Sequence, residues 1–238
     1  MNVARLTTSI AVAAALVAAT GCANPADDKP AAEVGAVKPA ATAPAESTAT
    51  ATASPTATAT AAAPAPEGAG ALPIDAAAST IGFVGSKVTG SHEGGFKSFR
   101  GAMVLDAEGK AVTNVSAEID MDSTWSDNER LTGHLKNQDF FDVPKFPKSS
   151  FVSTAIEPGA NLPAGATHTI TGDLTLHGVT RPISFPARLA VAGPDGATLD
   201  SEFSIKRKDF GIEYAGKTDD LIRDEVVLKL ALKAKKAG

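Results

Sequence analysis

The sequence predicts an all-β domain of eight mostly antiparallel strands with one short helix, carried on the C-terminal two thirds of a 238-residue chain. Three observations point there. All ten Phe, the single Trp125 and the single Tyr214 lie between Phe83 and Tyr214, whereas the first 70 residues hold no aromatic side chain, so the one substantial core belongs to the later part. From Leu72 onward, apolar and polar residues alternate with the period of a half-buried strand. Gly and Pro clusters punctuate that alternation at the short intervals expected of turns.

The strands follow in order. The first is predicted over Ile81–Val88, with Gly90-Ser91-His92-Glu93-Gly94-Gly95 after it as a hairpin turn. The second covers Phe96–Asp106 and ends in a turn at Ala107-Glu108-Gly109-Lys110. The third alternates most cleanly: Val115, Ala117, Ile119 and Met121 point one way, and Ser116, Glu118, Asp120 and Asp122 the other. Ser126 and Glu129 form a capping box for a short helix that carries Leu131 and Leu135 on one face and ends near Lys136–Asn137. Phe146–Glu157 is the fourth strand. Thr169–His177 is the fifth, with Ile170, Gly172, Leu174 and Leu176 on one side.

Arg181–Ala192 is the sixth, with Ile183, Phe185, Ala187, Leu189 and Val191 inward; Pro182 and Pro186 limit where it can donate hydrogen bonds. Gly193-Pro194-Asp195-Gly196 turns the chain into the seventh, lined by Leu199, Ser201, Phe203 and Ile205. Val226, Leu228, Leu230 and Leu232 line the last. Eight such strands suit a sandwich or a closed barrel. A barrel of that size either fills with side chains or holds one small ligand. The small inward residues Ala117, Gly172, Ala187 and Ser201 fit both outcomes.

The N-terminus reads as an export signal over residues 1–21: Arg5, then an uncharged apolar run from Leu6 to Ala19. Ala19-Thr20-Gly21-Cys22 resembles a bacterial lipobox, which implies acylation of Cys22, the only cysteine, and attachment to a membrane through its acyl chains. Ala23 rather than Asp follows Cys22. For a Gram-negative host that favours the outer membrane, with the protein in the cell envelope facing the periplasm. Residues 22–71 read as a tether rich in Ala, Pro and Thr, with no Leu, Ile or aromatic residue over residues 23–70, and expected to be disordered. A flexible coil of that length spans roughly 40 Å. Residues 72–238 form the folded domain.

The net charge of −5, from 22 basic and 27 acidic residues, offers no field for a nucleic-acid backbone. A lone cysteine excludes a disulfide scaffold. The four His (His92, His134, His168 and His177) have no zinc-type spacing, so no metal is expected. There is no Gly-x-Ser-x-Gly elbow and no phosphate-cradling loop, so no catalytic residue and no cofactor is expected.

Four ordered segments carry a family resemblance. Gly133-His134-Leu135, Asp139-Phe140-Phe141-Asp142-Val143, Pro147 and Phe151-Val152-Ser153-Thr154 resemble the central signature of the YceI-like family. Thr171 through Pro182, Arg207-Lys208-Asp209-Phe210-Gly211-Ile212 and Asp224-Glu225-Val226 resemble its later ones. The run Gly85–His92 departs from the family's usual Val-Lys-His-type pattern. The resemblance implies an eight-stranded antiparallel lipocalin-like barrel that holds an isoprenoid lipid or isoprenoid quinone non-covalently in an apolar tunnel.

On that basis Phe83, Ile119, Phe141, Leu174, Phe185, Ala187, Phe203 and Leu228 are the expected lining set. His134, His177, Arg130 and Arg207 are candidate contacts to a ligand head group, although each has an ordinary structural reading too. The expected function is a membrane-tethered, non-enzymatic binding protein for transport, storage or stress protection. The alternatives are an enzyme acting on a prenyl lipid or quinone, and an interaction module with a filled barrel.

Overall fold

The computed structural model describes residues 24–38, 70–160, 162–163 and 165–236. The expected signal peptide, Cys22 and residues 39–69 of the expected tether lie outside them. In chain order the strands are β1 (Glu33–Val34), β2 (Ala71–Pro73), β3 (Thr80–Lys87), β4 (Gly90–Phe96), β5 (Phe99–Leu105), β6 (Val112–Asp120) and β7 (Thr124–Ser126). Helix α1 (Glu129–Leu135) follows. Then come β8 (Lys148–Pro158), β9 (His168–Leu176), β10 (Val179–Val191), β11 (Gly196–Lys206), β12 (Gly216–Lys217), β13 (Asp220–Leu221) and β14 (Glu225–Lys235).

The all-β class stands, but the closed eight-stranded barrel does not. The main sheet has 12 strands, and its path β2-β5-β6-β8-β9-β10-β11-β14-β3-β4-β7 is open, with β1 attached to β10. It curves into a half-barrel whose edges lie 21 Å apart. The difference arises because two runs that alternate continuously in the sequence are broken in space. The chain turns a corner at Lys97–Ser98, so β4 pairs with β7 while β5 pairs with β6. A 3₁₀ turn over Met121–Ser123 then separates β6 from β7. The Ile74–Ala234 bridge and the Asp120 N–H to Ser98 carbonyl bond of 3.0 Å brace the curve outside the main ladder.

Glycine explains the missed strand β4. Its glycines read as turn punctuation, yet the whole segment pairs with β3 from Lys87↔Gly90 to Ile81↔Phe96. A Cβ at Gly94 would fall 2.4 Å from Phe83 Cζ, so glycine there admits an aromatic ring from the neighbouring strand. The helix also starts differently. Asn128, not Ser126, is its N-cap, accepting the Leu131 N–H at 3.1 Å. Ser126 instead donates to the Asn128 carbonyl at 2.7 Å.

The N-terminal segment is the largest departure. β10 and β11 pair only over Arg188–Val191 and Ala197–Asp200. Nearer the start of β10, Pro182 and Pro186 have no N–H to give, and residues 30–38 enter the gap. Ala32 N–H donates to the Ser204 carbonyl at 2.8 Å, and Ser204 N–H to the Pro30 carbonyl at 2.9 Å. On the other side Gly35 N–H donates to Pro182 at 2.8 Å and Lys38 N–H to Thr180 at 2.9 Å. Ala26 packs outside the sheet against Val84 and Val227. Residues 24–38 therefore form a strap bonded to the half-barrel, where the sequence reading expected a structureless tether.

Candidate functional site

The concave side of the sheet encloses an apolar cavity of about 180 Å³. Strand alternation positions its wall. On β14, Val226, Leu228, Leu230 and Leu232 all face it; on β6, Val115, Ala117 and Ile119 do. From Val226 to Leu232 the strand rises six residues, so the wall runs about 20 Å along β14.

The two ends differ. At the deep end Ile81, Val115, Ile183, Leu199 and Leu232 are all buried, which closes it. At the other end Gly85, Phe141, Ile222, Arg223 and Val226 line the cavity and are only half-buried. That end is the mouth. Helix α1 and the segment after it roof it, because Leu135 and Phe140 pack with Phe83 and Ile212. Phe83, Phe96 and Phe141 form an aromatic trio there, with ring centroids 5.8 to 6.3 Å apart.

Polar groups in this wall are few. Ser149 turns its hydroxyl away and donates to the Thr175 carbonyl at 2.7 Å. Arg207 is buried and donates to three carbonyls: Ile212 at 2.6 Å, Arg223 at 3.0 Å and Ile222 at 3.4 Å. Burial pushes its guanidinium pKa down and the Asp224 carboxylate opposes that, yet a guanidinium stays charged. Arg223 has a buried Nε without a hydrogen-bond partner among the described residues. The site thus offers an apolar wall with two cations near its mouth.

Seven of the eight expected lining residues share this wall: Phe83, Ile119, Phe141, Leu174, Phe185, Phe203 and Leu228. Ala187 does not. It is 1 % exposed in the packed core and backs onto a separate cleft of about 590 Å³ on the outer side. Gly172 leaves no room for a ligand either, because the Phe151 ring occupies the space where its side chain would be.

Of the four head-group candidates only Arg207 reaches the cavity. His134 bonds Asp139 through Nε2 at 2.8 Å and packs edge-on against Phe140 and Tyr214. His177, with φ of 51°, sits at the β9–β10 turn, its Nδ1 3.3 Å from the Phe210 carbonyl. Arg130 is exposed on α1. Trp125 lies over Gly95, outside the wall. Sequence reasoning missed Arg223, Ile212 and Ile222. They sit in loops, where no alternation marks which side chains face inward.

Among the described residues no group of three side chains could hold a metal ion, and no helix is long and apolar enough to cross a membrane.

Residues 72–234 match the family model of the YceI-like domain. A UPF0312 protein of Pseudomonas putida (strain W619) is 34% identical over 134 residues, which is 54% of this chain and 68% of that protein. Among solved structures, Burkholderia cenocepacia BcnA superposes with a TM-score of 0.59 at 27% identity, covering 68% of this chain and 99% of that one. A polyisoprenoid-binding domain from Saccharophagus degradans gives a TM-score of 0.54 at 18% identity, over 69% of this chain and 98% of that one, a likeness of fold.

Proposed function

The chain belongs to the YceI-like domain family, and we propose that it binds a long-chain isoprenoid lipid or isoprenoid quinone in the apolar cavity without transforming it. The observation that carries this is the wall itself: hydrocarbon along about 20 Å of β14, closed at one end, with its cations at the other. Each buried methylene contributes about 0.8 kcal/mol, so burial of a tail is the main source of affinity. The family is one of lipid-binding, non-catalytic proteins. The Saccharophagus degradans domain of the same fold is a polyisoprenoid binder, which supports this ligand class.

At about 180 Å³ the cavity is smaller than common ligand pockets of about 300–1000 Å³, so a long tail must spread the wall. In this reading Cys22 is acylated and holds the protein in the cell envelope, with the outer membrane favoured in a Gram-negative host. Residues 39–69 then join the strap to the domain.

Native mass spectrometry and solvent extraction of the protein from its own host test the binding reading. A stoichiometric long-chain prenyl compound is expected; its absence, together with no uptake of added prenyl ligands, contradicts the proposal. Fatty-acid labelling tests the anchor: Cys22→Ser should lose the label while the domain still folds.

A further inference from the structure

Four large apolar side chains stand out as exposed among the described residues, and two of them touch neighbouring tips. Val88 is 54% exposed at the β3–β4 turn and Leu221 48% exposed at the end of β13. The Val88 N–H donates to the Leu221 carbonyl at 3.2 Å, although 132 residues of chain lie between them. A third, Val37, precedes the Lys38–Thr180 bridge at the start of β10. Single exposed apolar residues need no explanation. These two are adjacent, come from separate hairpins and project from one end of the half-barrel.

That end is the cavity mouth. Arg223 N–H donates to the Ser86 carbonyl at 2.9 Å, and Lys87 bridges Ile222. The two mouth residues Ile222 and Arg223 are thus laced to the strand end that carries Val88. The strap begins there too. Ser86 Oγ donates to Asn24 Oδ1 at 3.4 Å, and Ala26 packs on Val84 and Val227. Cys22 is two residues before Asn24 in the sequence, a reach of at most about 7 Å of extended chain. Anchor, apolar tips and mouth therefore share one end of the molecule.

We propose that this end docks on a lipid bilayer, with Val88 and Leu221 entering the interface so that the cavity mouth faces the membrane. This rests on the reading of Cys22 as the acylated anchor and of the cavity as a lipid site. The strap changes what the anchor does. A free coil of residues 22–71 would hold the domain at roughly 40 Å; a strap bonded from Asn24 onward holds it at the surface. Charge gives the tips little pull on an anionic surface, since Lys87 pairs with Asp220 and the exposed Lys217 shares the hairpin with Asp219; the partner is therefore a zwitterionic bilayer, held by apolar insertion. Lipid could then pass between membrane and cavity without crossing water.

The test uses the mature acylated protein in phosphatidylcholine vesicles. An environment-sensitive fluorophore is placed on Val88→Cys, on Leu221→Cys and, as the control, on Ala107→Cys in the β5–β6 turn at the deep end. Mass spectrometry of each preparation reports acylation of Cys22 and bound lipid. Labels at 88 and 221 should be quenched by a bilayer-embedded quencher and shielded from an aqueous one, with the reverse at 107. In Val88→Ser/Leu221→Ser, transfer of a fluorescent prenyl analogue from vesicles should be about tenfold slower, equivalent to roughly 1.4 kcal/mol of lost insertion.

Acylated, ligand-bound protein with all three labels in water would overturn the docking and leave the binding function standing. Insertion at 107 instead of 88 and 221 would overturn it as well. Protein without an acyl chain on Cys22 and with aqueous labels would remove the anchor and the docking together, whereas quenching at 88 and 221 without the acyl chain would support the surface on its own.

Discussion

Gly172 of β9 gives its side-chain space to the ring of Phe151 on β8: a Cβ at 172 would fall 2.4 Å from Phe151 Cζ and 2.5 Å from the Val152 carbonyl oxygen. The pair belongs to the packing of the sheet. Gly172→Ala should therefore destabilise the domain by about 1–3 kcal/mol through overpacking. Phe151→Leu on the same background should restore only part of that, since the clash with the Val152 carbonyl remains. Urea unfolding of the single and double variants measures both; a neutral Gly172→Ala would contradict the packing described.

The strap should contribute to stability. A chain starting at Gly70 loses the backbone hydrogen bonds of Ala32, Gly35 and Lys38, and the cover that Ala26 places on Val84 and Val227. A typical intramolecular hydrogen bond contributes about 0.5–1.5 kcal/mol net, and ordering the strap offsets part of the total. A net loss of about 2 kcal/mol lowers the melting temperature by about 4–8 °C in a domain of this size. Calorimetry on the two forms checks it, and equal melting temperatures would show that the strap does not hold the sheet.

Period-two alternation made β6, β9, β11 and β14 legible, because each has one face in the apolar interior. Parity combined with the family resemblance likewise puts seven of the expected lining residues on the side of the sheet where the cavity lies. What escaped depends on partners distant in sequence. Gly94 looks like a turn residue until Phe83 is seen against it. Residues 30–38 look inert until Pro182 leaves a gap for them in the sheet. Ala187 and Ala117 are both small and inward by alternation, and only the curvature of the sheet decides that Ala117 meets the cavity while Ala187 meets packed core. The break at Lys97–Ser98, which opens the hydrogen-bonded path, carries neither Gly nor Pro to announce it.

Arg207 ties together the loops at the mouth. Its guanidinium donates to carbonyls of Ile212, Ile222 and Arg223, and hydrogen bonds from a charged group contribute about 1.5–3 kcal/mol each before the cost of burying the charge. Arg207→Ala should destabilise the domain by about 2–4 kcal/mol, since it strands those acceptors. Arg207→Lys should recover little, because an ammonium lacks the planar fork. Denaturant unfolding gives the numbers; full recovery by Lys would mean that charge alone matters.

Asp220 sets an acid limit on the β12–β13 hairpin. Hydrogen bonding from the Lys87 ammonium holds its carboxyl below the usual value of 3.8, with partial burial opposing and Thr89 adding to the effect. A carboxyl whose folded pKa lies below its unfolded value stabilises the fold above the unfolded pKa and stops doing so as pH falls through the folded one. The hairpin should stay attached to the β3–β4 turn from neutral pH down to about 3.8 and loosen below it. NMR shifts of the Val88 and Ile222 amides follow this, with Asp220→Asn as the reference; a transition above 3.8 would contradict the pairing.

Uptake of a fluorescent prenyl-quinone analogue by the wild-type protein and by Ala117→Phe, read together with melting of the ligand-free forms, tests the binding cavity most directly. Ala117 lines the cavity, so a ring there takes the ligand's space. The expected result is stoichiometric uptake by the wild type, a sharp loss in Ala117→Phe, and a stability change under about 1 kcal/mol. The same ring at Ala187, in packed core, should cost about 1–3 kcal/mol instead. Unchanged uptake by Ala117→Phe, or strong destabilisation of its ligand-free form, would contradict a ligand-holding cavity inside the half-barrel.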